Sequence, residues 1–138
     1  MIHYHLESVE LDLSFTVKFQ SVLEVVVSEY GCELDELSYI FCNDDYLLKV
    51  NQDYLNHDYY TDIITFDYCE EKLIGGDLFI SIDRVRENAD SNQVTFENEL
   101  CRVMFHGVLH LLGFGDKLPE EELQMRALES KCLSLYFA

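Results

Sequence analysis

The apolar side chains recur at helical spacing in some stretches and at strand spacing in others. Ser14 to Tyr30 has apolar residues every three to four positions, and Gly31 follows as a C-terminal cap, which predicts a first helix. The runs 37–42 and 63–68 are short and rich in β-branched and aromatic residues, which predicts two strands. Between them, residues 55–61 are polar and aromatic and are expected to form a loop.

The second half of the chain adds a further strand and three helices. The run DLFISI, residues 77–82, predicts a strand, and Asp83 is expected to cap the helix that follows. Thr95 is expected to cap a helix that is apolar on nearly every side, a pattern typical of a buried helix, and Gly113 ends it. Pro119 suits the first turn of a final helix.

This order of elements predicts an α+β fold, with a small mixed β-sheet packed with four or five helices. The chain has 138 residues, of which 49% are hydrophobic, so it can bury one core. No linker, internal repeat or low-complexity segment divides it. We therefore expect residues 1–138 to form a single domain.

The charge balance restricts the possible partners. The formal net charge is −18, from 9 basic and 27 acidic residues, which disfavours non-specific binding to nucleic acid or to anionic membranes. A nucleic-acid substrate would need a local basic or metal-centred patch. The N-terminus lacks the basic start and apolar run of a secretory signal, and no apolar stretch approaches the roughly 18 residues of a membrane span. A cytoplasmic protein without a membrane partner is expected.

The five cysteines favour neither disulfides nor a thiolate metal site. Their number is odd, and none forms a C-x-x-C pair. Several lie in apolar runs, so buried, reduced thiols are expected.

The segment FHGVLHLLGFGDK, residues 105–117, contains the candidate chemistry. His106 and His110 are four residues apart, which places both imidazoles on one face of a helix. Gly113 can adopt the left-handed conformation that turns the chain back, so that Asp116 returns a carboxylate towards them. Two nitrogens, one oxygen and an open fourth position describe a catalytic-type zinc site. The spacing is also that of the zinc ligands in metzincin proteases.

Other interpretations of these residues stay open. The histidines could be a hydrogen-bonded pair in the core, and Asp116 could be a solvated turn residue. Peptide hydrolysis is disfavoured because Gly107 occupies the position where zinc proteases of this spacing have a glutamate general base. A zinc-bound water could instead attack a phosphodiester, so His106, His110 and Asp116 would be catalytic through the metal.

Three segments resemble the YbeY family. HGVLHLLGF, residues 106–114, is similar to the family's metal-binding motif, while 61–66 (TDIITF) and 75–81 (GGDLFIS) are similar to two of its strands. They occur in the family's order over roughly the C-terminal two-thirds of the chain. The resemblance implies an α+β fold with one zinc ion and a single-strand-specific endoribonuclease activity. It also implies a role in late ribosome maturation, at the 3′ end of the small-subunit (16S) ribosomal RNA, with that RNA and the small ribosomal subunit and its proteins as partners.

Two positions depart from the family pattern. A third histidine is usual where this chain has Asp116, and an arginine thought to hold substrate phosphate is usual where it has Leu55. A carboxylate ligand should make the metal a weaker Lewis acid and shift its preference slightly towards harder ions such as Mn²⁺, so another divalent ion could replace zinc.

Without that arginine, phosphate would have to be bound elsewhere. The candidates are the cationic residues near the metal segment and after the third strand, although ordinary solvated surface is the favoured interpretation of each. They are Arg84, Arg86, Arg102 and Lys117. Asp62 and Asp77 match family motifs, and for them catalysis and loop hydrogen bonding are both open.

A second function is compatible with the sequence. The chain could be a ribosome-associated assembly factor with a mainly structural zinc, whose acidic surface docks on basic ribosomal proteins. The charges around the metal should distinguish the two, since a basic rim favours the nuclease and an acidic one the docking factor.

Overall fold

The computed structural model describes residues 1–138. Its strands are β1 (Ile2–Leu6), β2 (Glu33–Cys42), β3 (Ile63–Asp67) and β4 (Leu73–Ser81). Its helices are α1 (Thr16–Glu29), α2 (Asp44–Leu55), α3 (Ile82–Asn92), α4 (Phe96–Leu111) and α5 (Pro119–Tyr136), and a 3₁₀ turn at Leu13–Phe15 precedes α1. One mixed sheet packed with helices confirms the predicted α+β class. None of the helices has the length and apolar composition that a membrane span requires.

The sheet has the strand order β1-β2-β4-β3. β1, β2 and β4 are parallel, and β3 runs antiparallel to β4, with Thr65 opposite Leu78. β3 is thus an edge strand, and it contacts helix α4. This contact brings the segment before β3 next to the histidine-bearing helix.

Strand β1 is absent from the sequence-based prediction. Its sequence, IHYHL, is short and alternates apolar residues with His3 and His5, so no strong strand signal marks it. It forms because it pairs in parallel with β2, where Tyr4 lies opposite Tyr39, and because Ile2 enters the core. Pairing across more than 30 residues of sequence, rather than local propensity, therefore determines this strand.

The predicted cap of α3 is wrong. Strand β4 continues directly into α3, so Ser81 is the capping residue and Asp83 lies within the first turn. The carboxylate of Asp83 instead accepts a hydrogen bond from the backbone amide of Asp44, at 2.9 Å. The predictions that Thr95 caps α4 and that Pro119 occupies the first turn of α5 are confirmed.

Helix α4 lies at the centre of the packing. It contacts the sheet through β3 and β4, and it also packs against α3 and α5. The hydroxyl of the fully buried Tyr39 donates a hydrogen bond to the Met104 carbonyl at 3.0 Å, which fixes the rotation of the helix over the sheet. His106 and His110 then lie on its partly exposed face. The prediction of a buried helix is confirmed.

All five cysteines are free, as predicted. Cys42, Cys101 and Cys132 are buried, and burial raises the pKa of both Cys42 and Cys101 to about 12. These thiols therefore stay protonated at neutral pH and are poor metal ligands.

Gly107 allows α4 to approach the sheet closely. A Cβ atom at this position would overlap Leu78 Cδ2 and would lie only 2.8 Å from Ile63 Cδ1. A side chain here would thus point into the sheet, which explains in packing terms why a glycine, and not a protease-like glutamate, follows His106.

We predict that Gly107→Ala destabilises the fold. Alanine favours a helix over glycine by about 1 kcal/mol, but overpacking a core costs about 1–3 kcal/mol. Because Leu78 is fully buried and has little room to move, the collision should dominate in a urea unfolding experiment. Combining Gly107→Ala with Leu78→Ala should cost less than the sum of the single changes, and additive costs would contradict the proposed collision.

Candidate metal centre

Helix α4 presents two imidazoles to one partly exposed site. His106 and His110 are one turn apart, and their Nε2 atoms are 3.0 Å from each other. Their rings meet edge to face, with centroids 4.5 Å apart. The predicted common face of the two histidines is thus present in the fold.

The turn after α4 adds a carboxylate. Gly113 has φ +105°, a conformation that side chains with a Cβ rarely adopt, and its amide donates to the His110 carbonyl at 3.0 Å. The chain then reverses, and Asp116 Oδ2 lies 3.4 Å from His106 Nε2 and 3.3 Å from His110 Nε2. The structure therefore brings the three predicted ligand residues together.

The spacing of the three donor atoms fits a tetrahedral zinc ion. With metal–ligand bonds of about 2.0–2.1 Å, neighbouring ligand atoms of a tetrahedron are about 3.3 Å apart. The three separations of 3.0, 3.3 and 3.4 Å are close to this value. Two imidazole nitrogens and one carboxylate oxygen are also a donor set that zinc accepts, so these residues could hold a metal ion.

Glu129, on helix α5, orients the first of these ligands. Its Oε2 lies 2.6 Å from His106 Nδ1, and its side chain is only 2% exposed. Burial alone would raise the pKa of Glu129, but hydrogen bonds from His106 and Arg102 lower it overall. The ionised carboxylate accepts the Nδ1 proton, which leaves the Nε2 lone pair of His106 facing the site, the arrangement that a metal ligand requires.

Arg102 lies at the centre of a buried ionic cluster beside this contact. Its guanidinium donates two hydrogen bonds to Glu99, at 3.0 and 2.7 Å, and one to Glu129, at 3.0 Å. Asp62 is 3.7 Å away. Burial opposes the charge, but the Glu99 and Glu129 carboxylates raise the pKa of Arg102 above its usual value. The guanidinium is therefore committed to carboxylates of its own chain.

The three ligand residues open into a cavity of about 560 Å³. Strand β3, the segment before it and the end of α2 form its other walls. Besides the ligands and strand residues, its lining includes Asn51, Leu55, His57, Tyr59, Thr61, Asp62 and Lys117. This is a cleft in which a substrate can reach the metal-binding face.

Comparison with known proteins identifies the family. The model of the family described as Endoribonuclease YbeY matches residues 1–136. The chain belongs to the YbeY family. An Endoribonuclease YbeY of Phocaeicola vulgatus is 49% identical over 135 residues, which cover 98% of each chain. Another, of Porphyromonas gingivalis, is 56% identical over 108 residues, or 78% of this chain and 72% of the relative.

A solved structure shares the fold. A protein of Thermotoga maritima, determined in solution, matches 99% of this chain and 89% of its own, with a TM-score of 0.72 and 26% sequence identity. The resemblance that the sequence motifs indicated is therefore confirmed for both family and fold.

The two positions that depart from the usual YbeY pattern both lie at the cavity. Asp116, in place of the usual histidine, lies beside His106 and His110 as the third candidate ligand, and Leu55, in place of the usual arginine, lines the wall. The two motif aspartates are separated. Asp62 lines the metal cavity, where burial raises its pKa and Arg102 partly opposes that rise, whereas Asp77 lines a separate aromatic groove.

The four predicted substrate-binding cations lie in different surroundings. Lys117 lines the metal cavity, and Arg102 lines a neighbouring cleft. Arg84 pairs with Asp44 at 3.1 Å, and Arg86 lies over the ring of Phe96; neither lines the cavity. Their contacts to substrate stay a prediction.

The charges around the metal-binding face are mixed. The lining includes one cation, Lys117, and two carboxylates, Asp62 and Asp116, so the cavity has neither the basic rim expected for the nuclease nor a strongly acidic one. This comparison of charges therefore does not separate the two functions.

Several residues of the site were missed by reasoning from the sequence. Glu129 is one acidic residue among many on α5, and its glutamate–histidine contact spans 23 residues. His57 and Tyr59 lie in the segment predicted only as a loop. The i+4 and turn spacings revealed the ligands because those contacts are local.

We predict that Arg102→Ala and Arg126→Ala differ strongly in stability. Both arginines contact Glu129, but the Arg102 side chain is 17% exposed and that of Arg126 is 59% exposed. Removing Arg102 leaves Glu99 buried without a partner and leaves Glu129 with only His106 and Arg126, which should cost about 3–5 kcal/mol of unfolding free energy.

The matched change Arg126→Ala should cost at most about 1 kcal/mol, as for an exposed ion pair. Chemical denaturation of both variants measures the difference. Equal losses would contradict the view that Arg102 is the buried centre of the cluster.

Proposed function

We propose that this protein is a zinc-dependent, single-strand-specific endoribonuclease of late ribosome maturation, acting at the 3′ end of the small-subunit (16S) ribosomal RNA. The observation that carries the proposal is the trio of His106, His110 and Asp116 in an open cavity of a YbeY family member. The relatives are named endoribonucleases, which supports RNA as the substrate. The small ribosomal subunit and its proteins, in the cytoplasm, would be the other partners.

In this proposal, residues of the chain hold the three ligand side chains in position. Zinc, or Mn²⁺ or another divalent ion, would activate water and stabilise charge on phosphoryl oxygens when bound there. Glu129 keeps the proton of His106 on Nδ1, and the turn at Gly113 holds Asp116 against both imidazoles. These contacts hold the ligands in place before substrate arrives.

The shape of the cavity supports a single-stranded substrate. Its volume of about 560 Å³ is in the range of sites for small organic ligands, so it can accept part of one strand. Among the predicted cations, Lys117 is the first candidate for a phosphate contact, because it lines the cavity with the ligands. Arg84, Arg86 and Arg102 would act only if the RNA extends beyond the cavity.

The assembly-factor function remains the second candidate. The net charge of −18 favours docking on basic proteins and disfavours a large RNA interface. In that case the metal would hold α4 and its following turn in place, and residues 1–138 would act through their surface.

We predict that wild type holds one zinc ion per chain and cleaves single-stranded ribosomal RNA, and that His110→Ala does neither. The loss follows because two of three ligands do not form a site that retains zinc. Bound zinc is measured after dialysis, and cleavage is measured by gel analysis of the RNA.

The matched control is His5→Ala, which removes an exposed histidine of strand β1. It should keep both metal and activity. Full zinc retention in His110→Ala would contradict the metal site, whereas zinc binding without cleavage by wild type would favour the assembly factor.

We predict that Asp116→His keeps the zinc and raises the hydrolytic rate. Replacing an anionic ligand by a neutral one makes the ion a stronger Lewis acid. Single-turnover cleavage at saturating protein, with zinc content measured on the same sample, tests this.

Asp116→Asn serves as the comparison, since its amide is a weaker ligand and should lower zinc retention. A slower rate in Asp116→His with zinc intact would show that ligand charge does not limit the reaction.

A further inference from the structure

The loop between α2 and β3 presents a stacked aromatic pair to the metal cavity. The rings of His57 and Tyr59 are nearly parallel, with an interplanar angle of 22° and centroids 5.2 Å apart. The Tyr59 hydroxyl lies 3.0 Å from His57 Nδ1. Both residues line the cavity that contains the three metal-ligand candidates, and Tyr59 is 56% exposed.

A single buried residue anchors this pair. The backbone amide of His57 donates to the Asn51 carbonyl at 3.1 Å, and the Asn51 side-chain amide donates to the Tyr59 carbonyl at 3.0 Å. Asn51 is 1% exposed, at the end of helix α2. The two rings are therefore held on a fixed backbone, so little conformational freedom is lost when a ligand packs on them.

The cavity offers few groups that could bind phosphate. Lys117 is the one Lys or Arg residue in its lining, where Asp62 and Asp116 are anionic and Leu55 is apolar. With a net charge of −18, the chain cannot rely on general attraction for RNA. Apart from the proposed metal ion and Lys117, the cavity thus lacks phosphate-binding groups, and substrate affinity would need a further component.

Aromatic faces supply such a component. Unpaired RNA bases stack on tyrosine and histidine rings, and this contact is independent of backbone charge. A base within a duplex is already stacked on its neighbours and is not available. The same surface would thus favour single strands.

We propose that the His57–Tyr59 pair is a platform on which an unpaired nucleobase of the substrate stacks next to the metal centre. The inference rests on the proposed endoribonuclease function and deepens it, because it assigns recognition to a base face in place of the missing phosphate contact. The exposed face of Tyr59 is the stacking surface, and His57 supports it from behind.

The first test is binding of a fluorescently labelled single-stranded 2′-O-methyl oligoribonucleotide, chosen to slow cleavage, by the zinc-loaded protein. Tyr59→Leu should weaken binding about 5- to 150-fold, the range for one lost stacked base. Tyr59→Phe keeps the ring and should stay within about threefold of wild type, since it loses only the contact to His57. The control Tyr68→Leu, at an exposed tyrosine outside the cavity, should bind like wild type.

The second test uses the absence of tryptophan from the chain. Tyr59→Trp places the only tryptophan of the chain at the platform, and stacking of a base should quench its fluorescence. An oligomer of the same length with abasic residues should leave the fluorescence unquenched. Unchanged fluorescence at saturating oligoribonucleotide would overturn the proposal.

The outcomes separate this inference from the function on which it rests. If wild type cleaves RNA and Tyr59→Leu binds the oligoribonucleotide as tightly as wild type, the platform is overturned and the nuclease stands. If wild type binds no oligoribonucleotide, both are overturned. Selective weakening in Tyr59→Leu, with Tyr59→Phe and Tyr68→Leu intact, supports the platform.

Discussion

A buried chain of charge-assisted hydrogen bonds joins the two C-terminal helices to the metal centre. Arg102 of α4 binds Glu99 and Glu129, and Glu129 of α5 binds His106 through its other oxygen. Charges removed from water are tolerated only when each has its partner, so this chain is stable as a whole and costly when broken. The docking of α5 on α4 and the orientation of the candidate ligand His106 thus depend on the same contacts.

The two sides of the cavity are built differently. The metal-binding side lies on a helix fixed by core packing, where Gly107 lets α4 approach the sheet and Tyr39 holds the Met104 carbonyl. The opposite side is a loop whose shape depends on hydrogen bonds to Asn51. A rigid helix suits the fixed geometry of ligands, while loops tolerate the sequence changes that alter substrate contacts. The replacement of a usual arginine by Leu55 lies at the end of α2, directly before that loop.

Most of the correct predictions rest on local sequence patterns, whereas contacts between residues distant in sequence were not predicted. The proximity of His106, His110 and Asp116 was predictable because a helical turn and a glycine reversal bring them together within a short span. Strand β1 was missed because it depends on pairing with β2. The cap was assigned to Asp83 because Ser81 and Ile82 fit the strand pattern, and nothing local shows that β4 ends at Ser81.

The residues that surround the candidate ligands were harder to predict from the sequence. Glu129 reaches His106 from another helix, and only the packing of α5 on α4 distinguishes it from the other acidic residues there. His57 and Tyr59 could be placed in a loop, but their stacking depends on hydrogen bonds to Asn51, which no sequence pattern indicates.

The position of Glu129 on the last helix has a consequence for the order of assembly. A chain made from its N-terminus delivers His106, His110 and Asp116 before the carboxylate that orients the first of them. Until α5 docks, the proton of His106 is free to occupy either nitrogen, and the ligand set lacks the outer contact that strengthens metal binding. If these residues hold a metal ion, as we propose, its capture would be coupled to completion of the fold.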